Sequence, residues 1–219
     1  MNLPSFQRIA PYYDGLAKLV FGNAIDNAQK AFFSLIPEGS SLLIIGGGSG
    51  KILPDLMNQI KPKHITYIEA SSNMLSKAEK QYQYIKKTLL YPVDMCFIYG
   101  TEKDIPADAQ YDVLMTFFLL DLYTNDEARE LTSVLSAHLK ASGSWLFADF
   151  CIRGSSSRQR WQRMLLKSMY LFFKFTSNLQ NQSLPDYQRI FKELQYFPMQ
   201  QKFFYKEFIA STIYRKLLS

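Results

Sequence analysis

Ser40-Ser-Leu-Leu-Ile-Ile-Gly-Gly-Gly-Ser-Gly-Lys51 and the later run Ile65-Thr-Tyr-Ile-Glu69 are the segments whose reading decides the fold. Four apolar residues bounded by serines and glycines read as a short buried strand, and the glycines let the backbone turn without Cβ clashes. The pattern predicts a strand feeding a helix. Gly46, Gly47 and Gly48, with Gly50 beyond, leave main-chain N–H groups uncovered at a helix start, where a ligand can approach closer than side chains would permit. Glu69 follows Gly50 by 19 residues, close to the roughly 20-residue interval at which a carboxylate meets ribose hydroxyls in doubly wound folds. A nucleoside is the first ligand implied.

The spacing narrows which nucleoside. Gly46-x-Gly48-x-Gly50 lacks the third-glycine offset of the dinucleotide fingerprint, and Gly50-Lys51 is followed by Ile52 where a phosphate loop needs Ser or Thr. Adenosine with a small zwitterionic tail fits better. With its apolar run leading into Gly-x-Gly-x-Gly, the segment resembles the first motif of class I S-adenosylmethionine-dependent methyltransferases. One departure is Ile44, which stands where that family carries an acid. The resemblance implies an α/β fold: a doubly wound, mostly parallel seven-stranded sheet closed by an antiparallel C-terminal strand pair, with S-adenosylmethionine as cofactor.

Other segments carry the same resemblance. Phe6-Gln-Arg-Ile-Ala-Pro-Tyr-Tyr-Asp14 is similar to the leader of the methyltransferases of ubiquinone and menaquinone biosynthesis, which implies that Tyr13 and Asp14 help fold a cover over the cofactor. The other reading is that Tyr13 packs and Asp14 caps the following helix. Gly100-Thr-Glu-Lys-Asp-Ile-Pro106 occupies the position of a motif whose Asp lies near the adenine amino group. Here Thr101, Glu102 or a main-chain carbonyl can supply the acceptor. Tyr111 to Leu120 resembles the fourth motif, which places Thr116 and Phe117 on the methionine side and Asp121 and Tyr123 at the substrate mouth as candidate catalytic groups. Ala70 and Met74, after Glu69, complete the expected cofactor-binding set.

At 219 residues the chain suits one domain with a sizeable core. The expected division is an N-terminal helical cover over 1–37, a cofactor-binding core over 38–150, lid or substrate helices over 151–198 and a strand pair over 199–219. Met1 to Arg8 has no charged-then-apolar leader, and the apolar stretch Met164–Phe175 is interrupted by Lys167 and Lys174. That stretch is too short for a bilayer core of about 30 Å. Cys96 and Cys151 read as reduced core residues, and the chain as cytoplasmic. Neither His64 nor His138 is placed as a ligand, and no metal is expected.

Along the chain, Ile25, Ala28, Phe32 and Leu35 mark a helix, with Gly22 a break and Pro37 a stop. Lys51–Ile60 reads as a helix, and Met74, Ala78, Tyr82 and Ile85 share a helical face. Asn125 opens another helix, with Leu131, Val134, Leu135 and His138 inward and Ser142-Gly143 its end, before a strand over Ser144–Phe150. Asp112 is expected to cap a turn. Strand–helix alternation argues for a parallel sheet whose ligands sit at strand carboxyl ends, where Gly46–Gly50, Glu69, Thr101, Thr116 and Asp149 should converge.

From residue 151 the character changes. Residues 1–150 hold 13 basic and 16 acidic side chains, and residues 151–219 hold 12 basic and 3 acidic ones. Such a split marks an anionic partner, a membrane surface or simply a solvated face. Trp161 to Phe175, with Phe172, fits a long aromatic helix in the family's lid position or plain core packing. Tyr187 to Leu194 is a shorter helix, and Met199–Tyr214 two strands without a turn signal. The expected reaction is O- or C-methylation of a small, mainly apolar acceptor, with Asp121, Asp149, Tyr12 or Tyr123 available as a base. The rivals are a nucleic-acid methyltransferase gripping phosphates with the basic third, a non-catalytic cofactor-binding subunit and an oxidoreductase. Nucleic acid is disfavoured as partner, since the basic residues mix with a large apolar face; peripheral membrane contact stays open.

Overall fold

The computed structural model describes residues 18–177 and 183–217, the side chains of 171–177 excepted. Tyr12, Tyr13 and Asp14 lie outside the described residues, as do the side chains of Phe172 and Phe175.

Strand β1 (Ser41–Ile45) pairs in parallel with β2 (His64–Glu69) on one side and β4 (Tyr111–Phe117) on the other. Strand β3 (Asp94–Tyr99) extends the sheet beyond β2, and β5 (Leu139–Phe150) extends it beyond β4. The hairpin β6 (Tyr196–Phe204) and β7 (Ile209–Lys216) then joins antiparallel through β7, giving seven strands in the order β3-β2-β1-β4-β5-β7-β6. This is the fold class the sequence implies. Between the parallel strands run α2 (Leu53–Gln59), α3 (Ser72–Lys86) and α4 (Asn125–Ala137), preceded by α1 (Ala24–Lys30) and followed by α5 (Ser156–Ser177) and α6 (Tyr187–Glu193).

Strand alternation divides the core into two layers. Leu42 and Ile44 of β1 face the layer shared with Phe32, Leu56, Ala78 and Phe150, whereas Leu43 and Ile45 face that of Leu135, Trp145 and Phe191. Phe191 of α6 stacks on Tyr214 of β7 at 4.0 Å between centroids and meets Trp145 of β5 edge-on at 5.1 Å. These contacts fasten the antiparallel pair to the parallel sheet. Helix α3 is capped by the Ser71 hydroxyl, which accepts the Met74 N–H at 3.4 Å, and buries Met74, Ala78, Tyr82 and Ile85 as its periodicity predicts.

Four local expectations need correction. Helix α4 ends at Ala137, not at Ser142-Gly143, because Tyr111 N–H donates to the His138 carbonyl at 2.9 Å and Leu139 already pairs with Tyr111. The extra residues before Ser144 form an irregularity in the β4–β5 register, so β5 begins at Leu139. Val134, expected inward, is 37% exposed. Asp112 caps no turn: it accepts the Ser41 N–H at 2.9 Å and pairs with Lys140 at 2.7 Å, tying β1, β4 and β5 together at their amino ends. Cys96 is exposed on β3, whose outer margin has no neighbouring strand among the described residues, so only Cys151 is partly buried.

The β6–β7 turn explains its lack of a sequence signal. Tyr205, Lys206 and Glu207 all take left-handed backbone at φ 48°, 54° and 63°, a conformation costing roughly 1–2 kcal/mol for each non-glycine residue. Tertiary contacts offset that cost. Arg158 forms an ion pair with Glu207, Gln162 donates to the Lys206 carbonyl at 3.1 Å, and Cys151 N–H donates to the Phe208 carbonyl at 2.8 Å.

Candidate active site

At the carboxyl ends of the parallel strands lies a cavity of about 490 Å³, lined among others by Gly46, Gly47, Gly48, Glu69, Ala70, Met74, Thr101, Glu102, Phe117, Asp121 and Tyr123. Its size is that of a small-ligand site. The glycine turn is fixed from below. Tyr67, one residue short of the inward face's end on β2, donates its hydroxyl to the Gly48 carbonyl at 3.1 Å, and a Cβ on Gly47 would come within 2.3 Å of the Tyr67 ring. Gly47 is therefore required by space. Gly48, at φ 66°, has nothing within 4 Å of where its Cβ would stand, so that face is open.

Glu69 closes the turn from the side. Its Oε2 accepts the Gly48 N–H at 2.8 Å and its Oε1 accepts the Ser71 N–H at 2.8 Å. Burial raises its pKa, while hydrogen bonds from Ser71, Gly48 and Ala70 act the other way. With four acceptor sites on its two oxygens, the carboxylate still has room for a further donor from the cavity.

On the adenine side expected from the sequence, Thr101 caps the short turn Glu102–Asp104: its Oγ1 accepts the Lys103 N–H at 3.3 Å, and its own N–H donates to Asp104 Oδ2 at 2.8 Å. Thr101 and Glu102 both line the cavity. Beyond β4, the short turn Leu120–Leu122 carries Asp121, which is 2% exposed. The Asp121 N–H donates to Asp149 Oδ2 at 3.2 Å, and Asp149 Oδ1 accepts the Phe150 N–H at 2.8 Å. Burial pushes the Asp121 carboxyl up to about 7, and burial together with the Asp121 charge pushes Asp149 well up. The pair holds a proton near neutral pH. Tyr170 of α5 donates its hydroxyl to the Asp121 carbonyl at 3.2 Å, anchoring that helix beneath the turn.

Tyr123 is pushed up to about 12 by burial and then by Glu102, Glu127 and Glu69. Burial of this kind favours the protonated phenol.

Two expected site residues are not where the sequence put them. Thr116 does not line the cavity; alternation along β4 turns it to the opposite face from Phe117, where its Oγ1 accepts the Trp145 Nε1–H at 2.9 Å in the core. Asp149 stands behind Asp121 and not on the cavity wall. Ile44 is 1% exposed and packed in the core, and the carboxylates facing the cavity are Asp26, Glu69, Glu102 and Asp121, against Lys18 and Lys51. Such a lining suits a ligand of positive charge, as a sulfonium with an ammonium tail would be. Wall residues the sequence reading missed are Phe118, Leu119 and Leu122, together with Ile25 of α1, which periodicity assigned to the core. Phe118 takes φ 53° immediately after β4, a backbone state that no residue type there announces.

Residues 42–143 match the family model described as a methyltransferase domain. Over that stretch the chain is similar to methyltransferase domains. Solved structures agree in fold. The mitomycin 7-O-methyltransferase is 13% identical at a TM-score of 0.67, over 97% of this chain and 61% of its own. This chain thus spans about three fifths of that enzyme's length. The Burkholderia thailandensis 1,6-didemethyltoxoflavin-N1-methyltransferase, solved with S-adenosylhomocysteine and its 1,6-didemethyltoxoflavin, is 12% identical with a TM-score of 0.66, over 96% of this chain and 85% of its own. The Synechocystis magnesium protoporphyrin IX methyltransferase, also solved with S-adenosylhomocysteine, is 14% identical with a TM-score of 0.64, over 88% and 82%. No curated protein matches this chain by sequence. Among the described residues no group of three or more His, Cys, Asp or Glu could hold a metal ion, and no helix is long and apolar enough to cross a membrane.

Proposed function

We propose that this methyltransferase acts on an oxygen or carbon atom of a small, mainly apolar acceptor, with its cofactor in the cavity between the glycine turn and the Asp121 turn. The observation that carries this is the Glu69–Gly48 contact, which sets a carboxylate beside the open glycine turn in a cavity bordered by acids. In this reading Glu69 accepts from the ribose hydroxyls. Gly46 N–H is held by the Ile68 carbonyl and Gly48 N–H by Glu69, so the Gly47 amide faces the carboxylate of the amino-acid tail; Ala70 and Met74 flank the adenine, Thr101 or Glu102 meets its amino group, and Phe117 lies along the methionine chain.

S-adenosylmethionine supplies a methyl group on a sulfonium, already activated for in-line displacement and leaving a neutral thioether. The protein's part is chiefly orientation and exclusion of water. Phe118, Leu119 and Phe150 give the wall an apolar character suited to such an acceptor. Asp121, when ionised, takes the proton that a phenol or enol must lose as the new bond to carbon forms, and its carboxyl titrates near the operating pH. Tyr123 donates a hydrogen bond to the acceptor. The relatives solved with small aromatic acceptors, such as the 1,6-didemethyltoxoflavin enzyme, support a small-molecule substrate.

The test is twofold. S-adenosylhomocysteine should raise the melting temperature by several degrees while NADH does not, and source-cell lysate incubated with enzyme and radiolabelled methyl donor should yield label extractable into organic solvent. Label confined to RNA would move the acceptor to nucleic acid. Stabilisation by NADH alone would remove the methyltransferase reading.

A further inference from the structure

A second cavity, of about 650 Å³, opens between β5, β7 and the helices α5 and α6. Its buried floor is aromatic: Phe147, Phe150, Tyr187 and Tyr214. Its rim is basic, with Arg153, Arg163 and Lys167 against one acid, Asp186, which is engaged in capping α6 by accepting the Arg189 N–H at 3.1 Å. Among the described residues none of these three cations forms an ion pair. Arg153 lies over the Phe203 ring at 4.3 Å, which keeps its guanidinium at the cavity mouth.

Arg163 and Lys167 are one helical turn apart on α5, a like-charge i, i+4 spacing that disfavours the helix. Fold stability gives no reason for it. A bound anion does.

The Tyr187 hydroxyl is itself buried and has no hydrogen-bond partner among the described residues, so this part of the floor presents an aromatic ring to the recess.

Phe150 lines both cavities, so the second recess adjoins the first at the end of β5. We propose that the acceptor reaches from the first cavity past Phe150 into the second, and that the end held in the second cavity is an aromatic ring bearing an anionic group, with the ring on the Phe147–Tyr187–Tyr214 floor and the anion against Arg163, Lys167 and Arg153. This rests on the methyltransferase reading. It explains why the basic excess of residues 151–219 coexists with an apolar face: the two belong to opposite ends of one ligand.

The experiment uses 1-naphthylacetate as an anionic probe and 1-naphthylacetamide as its neutral counterpart, each titrated into the full chain saturated with S-adenosylhomocysteine. The acetate should bind at least tenfold more tightly, and the Arg163→Gln, Lys167→Gln double variant should reduce that preference to within about twofold while leaving S-adenosylhomocysteine affinity unchanged. Equal binding of the two probes, or a preference that survives the double variant, overturns the proposal with the methyltransferase reading intact. Failure of S-adenosylhomocysteine to bind the unaltered chain would instead remove that reading, and the acceptor assignment with it.

Discussion

The main-chain N–H of Asp121 donates to the carboxylate of Asp149 at 3.2 Å, bringing two acidic residues together where each is no more than 2% exposed. The contact links the last parallel strand to the turn that borders the cavity. It also makes stability depend on pH in a definite direction.

Burial raises both carboxyls above their values in the unfolded chain, Asp121 to about 7. The folded state thus binds more protons than the unfolded state between about pH 4 and pH 7, and stability falls as pH rises through that window. The stabilisation is fully present below the unfolded value and is lost as pH passes the folded one. Asp149→Asn should flatten this slope and raise the melting temperature at pH 8, by about 2–4 °C for each kcal/mol recovered in a chain of this size. Melting curves from pH 4 to pH 8 check it; a slope of the opposite sign would show that the pair is ionised in the folded protein.

Glu69 holds the glycine turn and, in the proposed complex, the ribose. Glu69→Ala should weaken S-adenosylhomocysteine binding by at least tenfold, since hydrogen bonds to a charged group are worth about 1.5–3 kcal/mol. Titration calorimetry reads the affinity. Unchanged affinity would mean that the ribose lies elsewhere.

Gly47→Ala would place a Cβ 2.3 Å from the Tyr67 ring, so either the turn or the ring must move. We expect cofactor affinity to fall more than tenfold. Combining it with Tyr67→Leu, which removes the obstructing ring, should recover part of that loss. No recovery in the double variant would indicate that the ring is not what Gly47 accommodates.

Thr116→Val separates the observed packing from the expectation of a methionine-side contact. It leaves the Trp145 indole N–H buried without its acceptor, at a cost of about 1–3 kcal/mol. Denaturant titration should detect that loss, while S-adenosylhomocysteine affinity stays within twofold of the unaltered chain.

The contrast between Phe117 and Thr116 marks how far the sequence could be read. Alternation along β4 makes these neighbours face opposite ways, and motif order alone does not say which faces the ligand. The glycine turn, Glu69 and the strand–helix alternation were legible because each rests on local chemistry: backbone freedom, residue spacing and hydrophobic period. The start of β5 was not, since Leu139 joins the sheet through hydrogen bonds to a strand nearly thirty residues earlier. Nor was the β6–β7 turn, where Tyr205, Lys206 and Glu207 hold left-handed backbone with support from Arg158 and Gln162 of a distant helix. The second cavity escaped for the same reason. Its rim and floor come from five elements that only the assembled sheet and its helices bring together.

Cys96 sits exposed on the outermost strand, whereas burial pushes the Cys151 thiol up to about 12. Alkylating reagents react through the thiolate, so a maleimide dye at neutral pH should mark position 96 alone. The strand it marks runs directly into Gly100 and Thr101 of the cavity wall. One native side chain thus offers a fluorescent reporter of ligand arrival without any engineered mutation.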